Sequence, residues 1–383
     1  MREYSFRRWA LGARRSDCSQ GPTQTPNAKR QRPTLPDIVA HLQAAPAWQR
    51  KQDIALLTAG LASLAPTVAG VPVRLGDDAA VIELPDGALL LASEVTYPPL
   101  VAADPYLAGR SAVLANVNDV YAMGGYPLAI VDTILAPDRA IAAAILRGLR
   151  DGCDRYGIAL VGGHLTAAGD TVSVSASILG RATRVLSSFN ARPGDAILHV
   201  VNLRGAFHPR FPFWDCSAHL SNAELQRDLA LLPAIAEAGW CDAARDISMA
   251  GILGSLLMML ELSGVGAVVN LDDIPGPAPD TERYFDWLLG FPSYGFLLCV
   301  RPEFVGAVQA AFTAHAITCA VIGMVTADRR VMVRKGHTEA LLRDLGRDRF
   351  MGLASTGASA PMEAPLAGAR LACLRHAAEA AYA

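Results

Sequence analysis

Residues Leu75–Leu84 read LGDDAAVIEL. Leu75 and the run from Ala79 to Leu84 are mostly apolar, as a strand bound for the interior is, yet Asp77 and Asp78 sit at its mouth. Ionised carboxylates resist burial unless something compensates them. Three further segments repeat the pattern. Glu94 interrupts the apolar run LLLASEVTY, Leu89–Tyr97. Asp119 lies in LANVNDVYAMGG, Leu114–Gly125, where Ala112, Ala115, Asn116, Asp119 and Met123 share one helical stripe with Asn118 beside it. Asp246 lies in ARDISMAGILGSL, Ala244–Leu256, ahead of glycines spaced along the next helix.

Acids on four separate segments repel one another if they converge, and a divalent cation offsets that. Mg²⁺ takes one or two carboxylates together with phosphate oxygens, so the cluster suits a metal-loaded triphosphate. The candidate metal ligands are Asp78, Glu94, Asp119 and Asp246. The competing reading makes Gly76-Asp77-Asp78 a plain turn, Asp119 a surface acid and Asp246 a helix cap. A phosphate also needs donors. In ALVGGHLTAAGD, Ala159–Asp170, a strand runs into Gly162-Gly163-His164, and paired glycines let backbone N–H groups approach an anion. The sequence has no GxxxxGK[ST] and no GxGxxG after a strand, which excludes a P-loop and counts against a dinucleotide site.

The 383 residues are 52% hydrophobic and 18% charged, enough for two domains with a sizeable core. A net charge of -2 argues against nucleic-acid or membrane-surface partners. Seven cysteines without a CxxC pair point to reduced thiols in a cytoplasm. No apolar run is long enough to span a bilayer.

Residues 1–33 read as a basic disordered tail. Helix follows from Pro36 to Leu64, interrupted at Pro46, and Asp104-Pro105 opens a helix ending at Gly124-Gly125. The turn Arg192-Pro193-Gly194-Asp195 marks a border between domains at 34–190 and 191–335, each mixing strands and helices. An Ala-rich extension occupies 336–383. The loop Arg204–Trp214 carries Arg204, His208, Arg210 and four aromatic rings. It reads either as a substrate lid for an anion or a ring, with Asn202 and Arg204 as contacts, or as a proline-braced aromatic cover.

Four motifs in order, GDDAAV (Gly76–Val81), ANVNDVYAMGGYPLA (Ala115–Ala129), LVGGHL (Leu160–Leu165) and DISMAGILG (Asp246–Gly254), resemble the aminoimidazole ribonucleotide synthetase (AIR synthase)-related superfamily. The resemblance spans roughly Pro36 to Val333. It implies an α+β, two-domain architecture whose N-terminal sheets pair in a homodimer. It implies ATP bound with Mg²⁺, with Asp119 and Asp246 catalytic. Asp77, Asp78, Asn116, Asn118, Gly162, Gly163 and His164 would contact the nucleotide. Glu94 departs from the family, which carries Asp in an STD-like motif. The selenophosphate synthetase pattern fails because only Cys18, Lys29 and Lys51 precede GDDAAV, with no glycine-rich setting. VTYPPLV after the motif weakens the match to thiamine-monophosphate kinase. FPSYGFLL (Phe291–Leu298) and NLRGAFHPRFPFWD (Asn202–Asp215) resemble a less-characterised AIR synthase-related branch. The expectation is an ATP- and Mg²⁺-dependent phosphotransferase or synthetase for a small molecule. The alternatives are thiamine-monophosphate kinase-like activity and a non-catalytic nucleotide-binding scaffold.

Overall fold

The computed structural model describes residues 32–62, 66–68, 70–279 and 281–353. The expected tail up to 31, and the extension from 354 onward, lie outside the described residues. Three helices come first. Thr34 and Asp37 form a capping box on α1 (Leu35–Ala44), and Pro46 breaks the chain into α2 (Pro46–Lys51) before α3 (Ile54–Ala62).

The first sheet uses β1 (Ala80–Leu84), β2 (Gly87–Val95), β3 (Tyr126–Ala136), β4 (Ala159–Ala167) and β5 (Ser173–Ala182), in the spatial order β1-β2-β5-β3-β4. Between β2 and β3 run α4 (Pro98–Ala103) and α5 (Pro105–Ala122), and α6 (Arg139–Tyr156) bridges β3 and β4. That helix is the crossover a parallel β3–β4 pair demands. The Asp104 carboxylate accepts from Leu107 N and caps α5, as its sequence predicts. The helices α5 and α6 approach so closely that a Cβ on Gly109 would strike Ile145 O, and one on Gly148 would strike Tyr106 O. Both helices cover one face of the sheet, burying Leu90, Ile130, Val174 and Ile178 against Val113, Val117 and Val120.

The second sheet has seven strands in the order β7-β9-β6-β10-β8-β11-β12. They are β6 (Ala196–Val201), β7 (Ala243–Asp246), β8 (Gly266–Asn270), β9 (Gly295–Val300), β10 (Thr318–Thr326), β11 (Arg330–Lys335) and β12 (Thr338–Asp344). Alternation along the central strands splits the core in two. Leu198, Val200, Phe296 and Leu298 join the first domain and the helices α7 (Asn222–Leu229), α8 (Leu231–Glu237) and α11 (Val305–Thr313). Ile197, Val201, Leu297 and Cys299 face the other way, against α9 (Gly251–Ser263), α10 (Tyr284–Leu289) and α1. The α+β class and the two-sheet architecture are as expected.

The segment 222–237 forms two helices, α7 and α8, with Pro233 inside the second. Two local expectations change. β4 runs through the glycine pair to Ala167 rather than ending before it. The stretch after Gly336 forms a hairpin strand, β12 against β11, so the second sheet continues past 335. Among the described residues no helix is long and apolar enough to cross a membrane.

Candidate active site

The carboxylates of Asp78, Asp119 and Asp246 each offer an oxygen, and these oxygens lie within 4.8 Å of one another. Three elements deliver them. Asp78 ends the turn that feeds β1. Asp119 sits on the last turns of α5. Asp246 is the last residue of β7, on the sheet face turned toward α5. Asp119 is 6% exposed, and its Oδ2 is buried without a hydrogen-bond partner among the described residues. An orphaned carboxylate oxygen beside two more acids is costly unless a cation shares the site.

Two protein cations partly meet that need. Arg245 donates from one terminal nitrogen to Asp78 Oδ1 at 2.8 Å, and from the other to Ser188 Oγ at 3.1 Å. The backbone N–H of Asp246 donates to Asp78 Oδ2 at 3.2 Å. Lys51, at the end of α2, reaches Ser248 Oγ at 3.4 Å and faces Glu94, Asp246 and Asp78. The docking of α2 places it there, through the Trp48 indole N–H donating to Ala250 O at 2.9 Å. Arg245 and Lys51 offset only part of the charge these carboxylates carry when ionised, and a divalent ion would offset more of it.

Titration behaviour follows this crowding. Burial raises Asp119 well above the usual carboxylate range, and Glu94, Asp246 and Asp78 push the same way. Burial also raises Asp78 strongly while Arg245 pulls it back. Asp246 rises through burial against Arg245 and Lys51. Part of Glu94 is open to solvent, yet the protein crowded round its carboxyl raises it, with Lys51 opposing. Burial lowers the Lys51 ammonium, and Arg245 adds to that against the acids.

Other expected residues stand elsewhere. The Asp77 carboxylate accepts from Ser187 Oγ at 2.6 Å and from Ser188 N, so it ties the turn to the domain border. Asn116 donates to Ala112 O at 2.8 Å, and the Oδ1 atoms of Asn116 and Asn118 are buried without partners. The glycine pair does not meet the acids within one chain. Strand register aligns Ser93, Ser177, Val131 and Gly162 in one row and Val95, Ser175, Thr133 and His164 in another. Both rows point away from α5, so Gly162 and His164 lie on the opposite face from Asp119. Gly163 shares a row with Glu94, three strands or about 14 Å across. A side chain there would run into Asp132.

Asn202 and Arg204 also have structural partners. Arg204 donates to Asn202 Oδ1 from its backbone at 3.0 Å, and its guanidinium lies 3.9 Å from buried Asp228. Arg227 and His315 hold the same carboxylate at 3.1 and 2.9 Å.

Family models describe residues 76–182 as the AIR synthase related protein N-terminal domain and residues 192–336 as its C-terminal domain. An uncharacterised protein of Synechocystis sp. is 39% identical over 320 residues, covering 83% of this chain and 98% of that one. The chain belongs to the AIR synthase related family. Among more distant relatives, selenide, water dikinase of Yersinia pseudotuberculosis is 27% identical over 304 residues, or 67% of this chain and 85% of the relative. The structure of AaThiL complexed with AMPPCP and TMP shares the fold, with a TM-score of 0.56 and 20% identity over 74% of this chain and 94% of that one.

Against that family background the residue set aside at the level of sequence is Lys51, dismissed there for want of a glycine-rich setting. No motif marks it, because its place depends on Trp48 finding a carbonyl some two hundred residues away. Arg245 was adjacent to an expected acid and could have been read as its counter-ion.

Proposed function

We propose that the chain is an ATP- and Mg²⁺-dependent phosphotransferase or synthetase acting on a small oxygen or nitrogen nucleophile. One observation carries this reading: three aspartates from three segments bring oxygens within 4.8 Å, and one of those aspartates holds an unpartnered buried oxygen. Names borne by relatives and fold neighbours support it, since they include a dikinase and a complex with an ATP analogue.

Asp78, Asp119 and Asp246, with Glu94 at the open side, would hold Mg²⁺. When bound, the ion neutralises charge on the phosphates and on the departing bridging oxygen. The chain's own residues do the rest. Lys51 supplies a donor toward the phosphates from the Glu94 side. Arg245 fixes the orientation of Asp78. In the transfer, the acceptor oxygen or nitrogen bonds to the γ-phosphorus as the bond from that phosphorus to the β,γ-bridging oxygen breaks. ADP departs and the acceptor proton passes to water. Positioning and charge neutralisation supply most of the rate in such a step.

The homodimer implied by the family fits the outer face of the first sheet. Val95 and Leu91 are 61% and 47% exposed there, beside Val131. Exposed apolar faces of this kind mark interaction surfaces. Pairing through it would bury Gly162 and His164, so their contribution belongs to a two-chain assembly. Sedimentation of wild type against Val95→Lys tests it; a monomeric wild type removes the proposal. The reduced thiols Cys153, Cys216, Cys241, Cys299 and Cys319 fit a cytoplasmic setting.

The deciding assay is ADP release from Mg·ATP with fractionated metabolite pools, with and without chelator. Acceptor-dependent, Mg²⁺-dependent release supports the enzyme reading. Nucleotide binding without turnover on every pool favours the non-catalytic alternative.

A further inference from the structure

A solvent-open pocket, about 420 Å³ with the open solvent in its mouth included, lies between the loop at 208–213 and the elements that carry the acids. Tyr97 lines it three residues after Glu94, and Met249 three residues after Asp246. Leu107 and Ser111 line it from α5. On that helix Leu107, Ser111, Ala115 and Asp119 recur at every fourth position, so one stripe runs from the cavity to the metal-binding end. Ser111 and Asp119 are about 12 Å apart along the axis. Ala115 between them is half-buried and carries only a methyl group.

The walls are aromatic and carry no formal charge. Phe213 and Phe291 stack at 4.7 Å, and Phe211 meets Tyr97 edge-on. Among the described residues no Lys, Arg, Asp or Glu lines the space. The loop's own Arg210 turns its guanidinium to Ala103 O at 3.4 Å. His208 supplies the polar handle. Its Nδ1 accepts from the backbone N–H groups of Arg210 and Phe211 at 3.1 and 3.2 Å. A neutral ring accepting at Nδ1 must carry its proton on Nε2, so His208 is a fixed donor.

We propose that this cavity holds the phosphoryl acceptor, and that the acceptor is an uncharged planar ring bearing a hydroxyl or amino nucleophile. A phosphorylated sugar would enter with two charges and find no cation in the lining itself, since Arg50 and Arg210 stack on Tyr97 and Phe211 and Arg283 donates to His208 O. A flat ring gains stacking and edge contacts, donates its nucleophile toward Ala115, and accepts from His208 Nε2. The inference deepens the phosphotransferase reading and rests on it for the word acceptor; the ring site itself stands on the cavity.

The test uses the full-length protein with ¹³C-methyl methionine, its Met249 signal identified from Met249→Leu. Benzyl alcohol is the ring probe and ribose phosphate the charged comparison. The expected result is a saturable ring-current shift of the Met249 methyl with benzyl alcohol on the order of 1 mM, and none with ribose phosphate. Leu107→Trp, which fills the cavity, should weaken the benzyl alcohol response at least ten-fold. A shift at other methionines only, no shift, or a Met249 response to ribose phosphate alone overturns the proposal. Titrating the same sample with Mg·AMPPCP separates the two claims. Nucleotide binding without ring binding removes this inference alone; ring binding without nucleotide binding removes the phosphotransferase reading and leaves a ring site.

Discussion

Asp119→Asn tests the charge logic of the site in both directions. Its oxygen lies within 4.8 Å of oxygens on Asp78 and Asp246. At an effective dielectric constant of about 20, two like charges at that separation repel by about 3.5 kcal/mol. Burial raises all three carboxyls, and protonation of any of them lowers the repulsion. A gain on the order of 1–3 kcal/mol remains for deleting the charge, and the new amide can donate to either neighbour. In chelator the variant should therefore melt several degrees higher than wild type. With Mg·ATP the order should reverse, because the wild type gains ligand stabilisation that the variant has lost. Paired thermal melts with and without Mg·ATP, alongside ADP release, read both arms. A variant that is less stable in chelator, or that keeps the full Mg·ATP shift and its turnover, refutes the reasoning.

The metal-free protein should also gain stability as pH falls from neutral toward the usual carboxylate range. Asp78, Asp119 and Asp246 have raised folded-state values, so their contribution is present below the unfolded value and is lost as pH rises through the raised one. Urea midpoints across that range check the sign, and a flat profile counts against burial of the three acids. Arg245→Met should cost about 3–5 kcal/mol in chelator, because it leaves Asp78 buried and unpaired, and denaturant titration measures it. A loss under about 1 kcal/mol would mean Asp78 is already neutral. Lys51→Met should lower chelator-state stability by about 1 kcal/mol, given its partial exposure. Combining it with Asp119→Asn should recover that loss; simple additivity would show the two do not share a field.

The acids were legible in the sequence for a physical reason. A carboxylate inside an apolar run conflicts with its neighbours, and the conflict is visible without coordinates, as at Glu94 and Asp119. Asp104-Pro105 likewise announced the start of α5, since capping and a fixed φ are local properties. Lys51 was noticed and set aside, because tertiary docking alone gives it meaning. The glycine pair misled in part, since the same Gly-Gly reads as a phosphate loop or as a strand packed over Asp132. The short strand Phe213–Asp215 pairs with Phe291–Pro292 some eighty residues on and with the nearby Ala206–Phe207, and all three are too brief for periodicity to show.

The guanidinium of Arg245 has a further consequence. It is a resident counter-ion, held by Asp78 and Ser188 before any metal arrives. The polypeptide can thus assemble its core without waiting for an ion. Stripping the metal from such a molecule should silence it while leaving it folded, and restoring the ion should restart it without a renaturation step.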